Sequence, residues 1–319
     1  MKRALVTGAG GFIGSHLVEA LVAEGVEVRA FVRYNSRGAR GHLDALDGPF
    51  DSFAGDVRDA DQVKDAARDC DVAFHLAALI GVPYSYHAPR SYVDVNVRGT
   101  LNVLEAVRET GAVLVHVSTS ETYGGADGVL REDSLPLARS PYAASKIAAD
   151  KLVESYVHSF DMPAVTLRLF NTYGPRQSAR AFLPSVITQA LARDVVRVGS
   201  LEPVRDYVYV RDAASALLAA ARCEGARGRV VHVGTGIGHT MGELAERALA
   251  RVGGDKRLEI DADRVRPISS EVMRLVCDAS EARALFGWQP RVDLDEGLDE
   301  TIAYLRAHLD DYRTGEYAV

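Results

Sequence analysis

Three glycines spaced by three, Gly8, Gly11 and Gly14, stand between an apolar run, RALVTGA from Arg3, and an amphipathic stretch, GSHLVEALVAEG, that closes at Gly25. Nothing else in the chain constrains its fold as much. A strand must turn sharply into a helix here, and glycine lets the backbone turn and lets an anion approach it. The helix N-terminus that follows would receive a pyrophosphate, with Phe12 and Ile13 in the same turn. The plain alternative, a tight turn without a ligand, is weakened by this strand-to-helix context.

Strand and helix patterns then alternate. VEVRAFVR from Val26, DVAFHLAA from Asp71, AVLVHVSTS from Ala112 and PAVTLRLFN from Pro163 read as strands. RSYVDVNVRGTLNVLEAVRETG from Arg90 and YAASKIAADKLVESYVHSF from Tyr142 read as helices. Short apolar runs alternating with longer helices predict an α/β fold, a Rossmann-type doubly wound parallel sheet. After Asn171 the rhythm changes, with Pro and Gly more frequent in TYGPRQ and VGSLEPVRD. This predicts an NAD(P)-binding Rossmann domain over residues 1–170, rejoined by a segment of about 205–235 that includes RDYVYVRDAASALLAAAR. A smaller C-terminal α/β substrate domain would be built from about 171–204 and 236–319.

Composition excludes several classes. With 319 residues and 47% hydrophobic content, the chain can bury a large core. A net charge of −7 argues against a nucleic-acid surface. No apolar run approaches the roughly 18 residues of a membrane span. The opening MKRALVTGAG breaks into glycine too soon for a signal peptide. Cys70, Cys223 and Cys277 are widely separated and read as small buried hydrophobes of a reducing cytoplasm. His75 and His87 lack metal-ligand spacing, so no metal is expected; His75 would line the strand-end floor near the cofactor.

The second strand ends in Arg33, with Ser36 and Arg37 behind it and no carboxylate before Asp44. An acidic residue there would hold the ribose hydroxyl of NAD, whereas arginine accommodates the 2′-phosphate of NADP. The residues favour NADP over NAD. Arg33 stacked on adenine or lying in solvent is the alternative. Asp56, in GDVRD, ends a third strand where it could accept from the adenine amino group.

Tyr142 and Lys146 lie four apart on one helical face. The ammonium is expected to lower the phenol pKa, so that the phenolate can take a proton from a hydroxyl as hydride leaves the same carbon. Thr119 stands at a strand end beside Ser120 and Glu121.

With these motifs in order, the whole chain resembles the extended short-chain dehydrogenase/reductases of the NDP-sugar epimerase/dehydratase family. TGAGGFIGSHL, GDVRD, FHLAA, VNVRGTLNVLEA, STSETYG, YAASK, LFNTYGPRQ and RDYVYVRD carry the likeness. AALIGVPYSYHAPRSYVDVNV, NTYGPRQSARAFLPSVI and RPISSEVMRLVCD are most similar to LegB-type 4,6-dehydratases of NDP-N-acetylglucosamine. The resemblance implies that Val57, Leu76, Ala77 and Ala78 line the tightly bound, recycled cofactor. It implies that Pro83, Tyr84 and Ser85 face the sugar. It also sets Asn171, Arg180, Arg205 and Arg266 against a UDP, GDP or dTDP diphosphate, a task suited to guanidinium groups.

The family's dehydratases carry a hydroxyl residue, an acidic or hydroxyl residue and a glutamate at the strand end, here Thr119, Ser120 and Glu121. Oxidation at C4 acidifies the C5 proton, a carboxylate removes it, the 6-hydroxyl leaves as water, and hydride returns to C6. Epimerases need no such base and commonly place a small or apolar residue there. Many glucose-type dehydratases have aspartate at the Ser120 position; serine is a poor acid, so water, Glu121 or another group must protonate the leaving hydroxyl. GDP-mannose dehydratases share Ser-Glu and favour NADP. Open alternatives are a 4-epimerase, an NDP-uronate decarboxylase, a 5,6-dehydratase, and a cofactor-sensing binding protein, which the intact Thr119, Tyr142 and Lys146 oppose. The resemblance also implies a homodimer joined through TLNVLEAVRET and AASKIAADKLVESYVHSF.

Overall fold

The structure, a computed structural model, describes residues 1–265 and 270–312. Its main sheet has seven parallel strands: β1 (Arg3–Thr7), β2 (Glu27–Arg33), β3 (Phe50–Gly55), β4 (Val72–His75), β5 (Val113–Thr119), β6 (Ala164–Leu169) and β10 (Val230–Val233). Their order is β10-β6-β5-β4-β1-β2-β3, so successive crossovers run first one way from β1 and then the other. That reversal opens a crevice at the carboxyl ends of β1 and β4, where ligands of such sheets lie.

Helices cover both faces. On one, α1 (Phe12–Ala23) packs against α8 (Val210–Arg222), closed by Leu17, Leu21, Ala213, Ala216 and Leu217. On the other lie α2 (Ala60–Ala67), α5 (Gly99–Thr110) and α6 (Pro141–Phe160), which bury Val63, Val103, Leu104, Val107 and Val153. Each large aliphatic side chain buried this way contributes about 1.5–3 kcal/mol. Between β4 and α5 the chain forms α3 (Val82–His87) and α4 (Pro89–Tyr92). The single helix expected from Arg90 is interrupted by a π-helical segment, Val93–Arg98, before α5. The extra residue in that turn points Asn96 inward, where it is 1% exposed.

Beyond Asn171 a second sheet is centred on β9 (Val204–Tyr209). β7 (Asn171–Tyr173) and β13 (Arg274–Leu275) pair with it in parallel, and β11 (Gly238–Thr240) antiparallel. β8 (Val195–Val198) pairs with β12 (Arg257–Ile260). Helices α7 (Phe182–Ala192), α9 (Met241–Val252) and α11 (Leu294–Ala307) close a core around Leu183, Ile187, Leu244 and Leu298. The remaining helix, α10 (Ser280–Phe286), lies against β10. β9, which the sequence pattern groups with the returning segment, belongs to this small sheet; α8 and β10 are what return to the large one. Asp206 ties the two sheets together. Its buried carboxylate accepts from the Thr235 amide and hydroxyl and the Gly236 amide, all within 2.8 Å, just past β10.

Candidate active site

The glycine turn behaves as its sequence requires. Gly8 has φ +72°, and a Cβ there would lie 2.8 Å from the Ala77 amide nitrogen. A Cβ on Gly14 would lie 2.2 Å from the Gly8 oxygen, so glycine sets how closely α1 approaches the turn. Gly11 is different. Its added Cβ would meet only the Gly8 oxygen, at 3.2 Å, and otherwise open space at the start of α1. An exposed amide turn with room above it fits the pyrophosphate of a dinucleotide. Phe12 and Ile13 are half-buried, packed against the core of the second region.

At the ends of β2 and β3 a cleft of about 380 Å³ is lined by Arg33, Tyr34, Ala54, Gly55, Asp56, Arg58 and Gln62. Arg33 is exposed there. Ser36 and Arg37 lie outside this lining, in the exposed loop that follows. Asp56 lines this cleft with a partner of its own. Its carboxylate is gripped by Arg58, at 2.9 Å from Nε and 2.6 Å from Nη2, which holds it below the usual carboxylate range. The partner was legible two residues away in GDVRD. Val57 is buried against Gly99.

Leu76, Ala77 and Ala78 leave the end of β4 half-buried beside the glycine turn. His75 does not line the floor. It is 2% exposed, with Nδ1 2.8 Å from the Thr7 hydroxyl and Nε2 3.0 Å from that of Thr100, bracing β1 and α5 across β4. Burial pushes its pKa well down.

Thr119, Ser120, Glu121, Tyr142 and Lys146 converge. Thr119 ends β5 and caps a single 3₁₀ turn, Ser120–Tyr123, accepting from the Glu121 amide at 3.2 Å. Glu121 is half-buried on that turn, and Ser120 is 2% exposed. Tyr142 lies near the start of α6, capped by Ser140. Its phenol hydrogen-bonds Thr119 and feels the negative charge of Glu121, so the three side chains lie together.

The expected acidification of Tyr142 is not found. Burial pushes its pKa up, Glu121 adds to this, and the Thr119 hydrogen bond only partly opposes it. The i,i+4 argument leaves out desolvation, which dominates for a fully buried phenol. The Lys146 ammonium instead donates to the Val117 carbonyl at 2.8 Å, and burial pulls its pKa down to about 8 despite Asp150.

Sequence reasoning overlooked the braces around these groups. Asn96 donates to the Leu79 carbonyl at 3.0 Å and to Ser145 Oγ at 2.9 Å, and accepts from the Leu79 amide at 2.8 Å. It thereby clamps the strand-end loop to α6 beside Lys146. Tyr123, 2% exposed, hydrogen-bonds His232 Nε2 at 2.6 Å and accepts from Arg168 Nη1 at 2.5 Å. Arg168 also donates from Nε to Asp150 at 3.0 Å. Only Asp150, four residues past Lys146, offered a local signal.

The expected substrate contacts divide. Pro83 and Tyr84 sit at an accessible helix start, but Ser85 is fully buried and donates to the Val82 carbonyl at 2.6 Å. Its short helix consumes the hydroxyl. Asn171 opens β7 and is half-buried, and Arg180 is exposed in the loop before α7. Arg205 on β9 is 5% exposed, 3.8 Å from Glu271, with Nη1 donating to the Val204 carbonyl. Arg266 lies outside the described residues. Among the described residues no group of three His, Cys, Asp or Glu side chains is placed to hold a metal, and no helix is long and apolar enough to cross a membrane.

Comparison with known proteins agrees with this geometry. The profile of the family described as GDP-mannose 4,6 dehydratase matches residues 5–301. The chain is 34% identical to the low-salt glycan biosynthesis protein Agl12 of Haloferax volcanii, covering 94% of this chain and 97% of that protein. It is also 34% identical to a dTDP-glucose 4,6-dehydratase of an Actinoplanes species, covering 95% and 98%. A UDP-glucose 4-epimerase of Thermus thermophilus, solved with NAD, superposes with TM-score 0.85 at 34% identity, covering 95% and 99%. DesIV of Streptomyces venezuelae, a dTDP-glucose 4,6-dehydratase solved with NAD and TYD, gives 0.86 at 30% identity, covering 98% and 99%.

Proposed function

Because the chain belongs to the GDP-mannose 4,6-dehydratase family of NAD(P)-dependent extended short-chain dehydrogenase/reductases, we propose that it is an NDP-sugar 4,6-dehydratase. Its substrate is an NDP-hexose or NDP-N-acetylglucosamine, converted to the 4-keto-6-deoxy sugar. One observation carries the reading. Glu121 is held on a capped, braced turn within electrostatic reach of Tyr142, where a 4-epimerase has no use for a base.

NAD(P), when bound, supplies the hydride acceptor and donor. The glycine turn would receive its pyrophosphate. Arg33 in the cleft supports NADP over NAD, since Arg58 there is paired with Asp56 and Arg33 is the guanidinium left to meet an extra phosphate. Tyr142, hydrogen-bonded to Thr119, takes the 4-hydroxyl proton. Substrate binding must lower its raised pKa, a task this reading gives to the Lys146 charge one turn along α6. Glu121 then removes the C5 proton and is the group best placed to return a proton to the departing 6-hydroxyl, since Ser120 is buried and weakly acidic. In this reading Arg205, on the strand that pairs with β7, binds the diphosphate.

The reading includes a homodimer through α5 and α6, whose Leu101, Ile147 and Leu152 remain partly exposed. It also includes a reducing cytoplasm, which suits the free, buried Cys70 and Cys277. The test is mass spectrometry after incubation in deuterium oxide with UDP-, GDP- and dTDP-linked glucose, N-acetylglucosamine and mannose. Loss of one water with one deuterium gained at C5 is expected for one donor. Interconversion of C4 epimers without mass loss, or carbon dioxide from an NDP-uronate, would overturn it.

A further inference from the structure

A buried acid–base cluster beneath the pocket has no part in the chemistry above. Asp150 is 4% exposed and lies one helical turn beyond Lys146 on α6. Its Oδ2 accepts from Arg168 Nε of β6 at 3.0 Å, with Nη2 also at 3.0 Å. Its Oδ1 faces His116 Nε2 of β5 at 3.4 Å. His75 of β4 stacks near His116, ring centres 5.6 Å apart, and both imidazoles are within the field of Lys146. Tyr123 and then His232 of β10 close the far side of Arg168, and Glu132 stands 3.7 Å from His232.

The charges near Lys146 can be counted. Burial pushes both His75 and His116 down, so each is neutral at neutral pH. Burial alone would push the Asp150 carboxyl up, but the ring nitrogen of neutral His116 that faces it and the charges of Arg168 and Lys146 more than offset it and keep it ionised. Two buried cations, Lys146 and Arg168, therefore share one buried anion.

We propose that Asp150 is a positioning residue that keeps Lys146 cationic, with Arg168 as the competing charge that sets how strongly it does so. Arg168, paired with the same carboxylate through two contacts to Oδ2, sets a positive charge beside it, so its field at Lys146 opposes that of Asp150. The two opposing charges thus set where the ammonium titrates. The consequence for turnover rests on the reading of Lys146 as the partner of Tyr142; the consequence for its titration does not.

The experiment is ¹³C NMR titration of the full-length protein labelled at lysine Cε, with the Lys146 resonance assigned by its loss in Lys146→Met. The chain has only five lysines, at positions 2, 64, 146, 151 and 256. Asp150→Asn leaves two cations without their anion and should lower the Lys146 midpoint by about one unit or more. Arg168→Gln should move it the other way, and Asp150→Asn with Arg168→Gln should bring it back to within about half a unit of the parent. The alkaline limb of kcat/KM should follow these midpoints while cofactor affinity at pH 6.5 holds within about threefold. An Asp150→Asn midpoint equal to the parent's, or both single changes shifting it the same way, overturns the proposal. Should Asp150→Asn fail to fold, the direction found for Arg168→Gln alone decides it. If the dehydratase reading fails, the limb loses its meaning but the NMR midpoints still decide.

Discussion

Removing one oxygen tests whether the turn that carries Glu121 is held from below. In Tyr123→Phe the ring still fits its buried site, and Arg168, 4.8 Å above the ring centre, keeps its face contact. Two hydrogen bonds vanish, at 2.5 Å to Arg168 and 2.6 Å to His232. A bond to a charged group contributes about 1.5–3 kcal/mol and a neutral one about 0.5–1.5. Arg168 keeps Asp150, so the loss should fall at the low end of their sum, about 2–3 kcal/mol. Urea unfolding of parent and variant, with the same m-value, measures it. The turn should then lose its register, and an error of order 1 Å in a base can cost about 10²-fold. C5 deuterium exchange should therefore fall by about 10- to 100-fold, whereas affinity for the dinucleotide, bound at a turn on the far side of β4, should change by less than about threefold. A destabilisation below about 0.5 kcal/mol would refute the energetic argument. A full destabilisation with unchanged C5 exchange would refute the link between this brace and Glu121.

Other expectations are simpler. Glu121→Gln preserves shape but not basicity, and should lower C5 exchange by about 10²–10⁴-fold in the same deuterium assay with cofactor binding intact. Gly14→Ala forces a Cβ to 2.2 Å from the Gly8 oxygen, so α1 must retreat; a loss of about 1–3 kcal/mol in stability and weaker dinucleotide binding by calorimetry should result. Arg33→Asp should shift the ratio of NADP to NAD affinity toward NAD by about 10- to 100-fold, the worth of one guanidinium–phosphate contact.

What could be read from the sequence follows the range of each interaction. The doubly wound parallel sheet, the glycine turn and the four-residue spacing of Tyr142 and Lys146 on one helix are written in short spacings, and all are present in the structure. The Asp150–Arg168–Tyr123–His232 cluster links residues 18, 45 and 109 positions apart, which no local pattern announces. Ser85 looked available because a hydroxyl shows no orientation in a sequence, yet its own helix uses it. The π-helical segment was invisible because its apolar spacing differs from a regular helix by a single residue. Tyr142 shows the reverse failure, in which a correct neighbour was identified and the larger effect of burial left out.

The topology of the large sheet has a consequence for how the chain is made. β6 cannot gain its outer neighbour until β10 exists, and the roughly 60 residues from Leu169 to Val230 lie between them. At ribosomal rates of about 5–20 residues per second, β6 waits roughly 3–12 s as an open edge. Its run Ala164–Leu169 is wholly buried in the finished protein, so during synthesis it is the strand most exposed to pairing with another nascent chain. Arg168, the fifth of the six residues of that strand, can already meet Asp150 of the preceding helix during the interval. The buried pair of Arg168 and Asp150 is thus also an early tie that holds β6 against α6 while its outer edge is open.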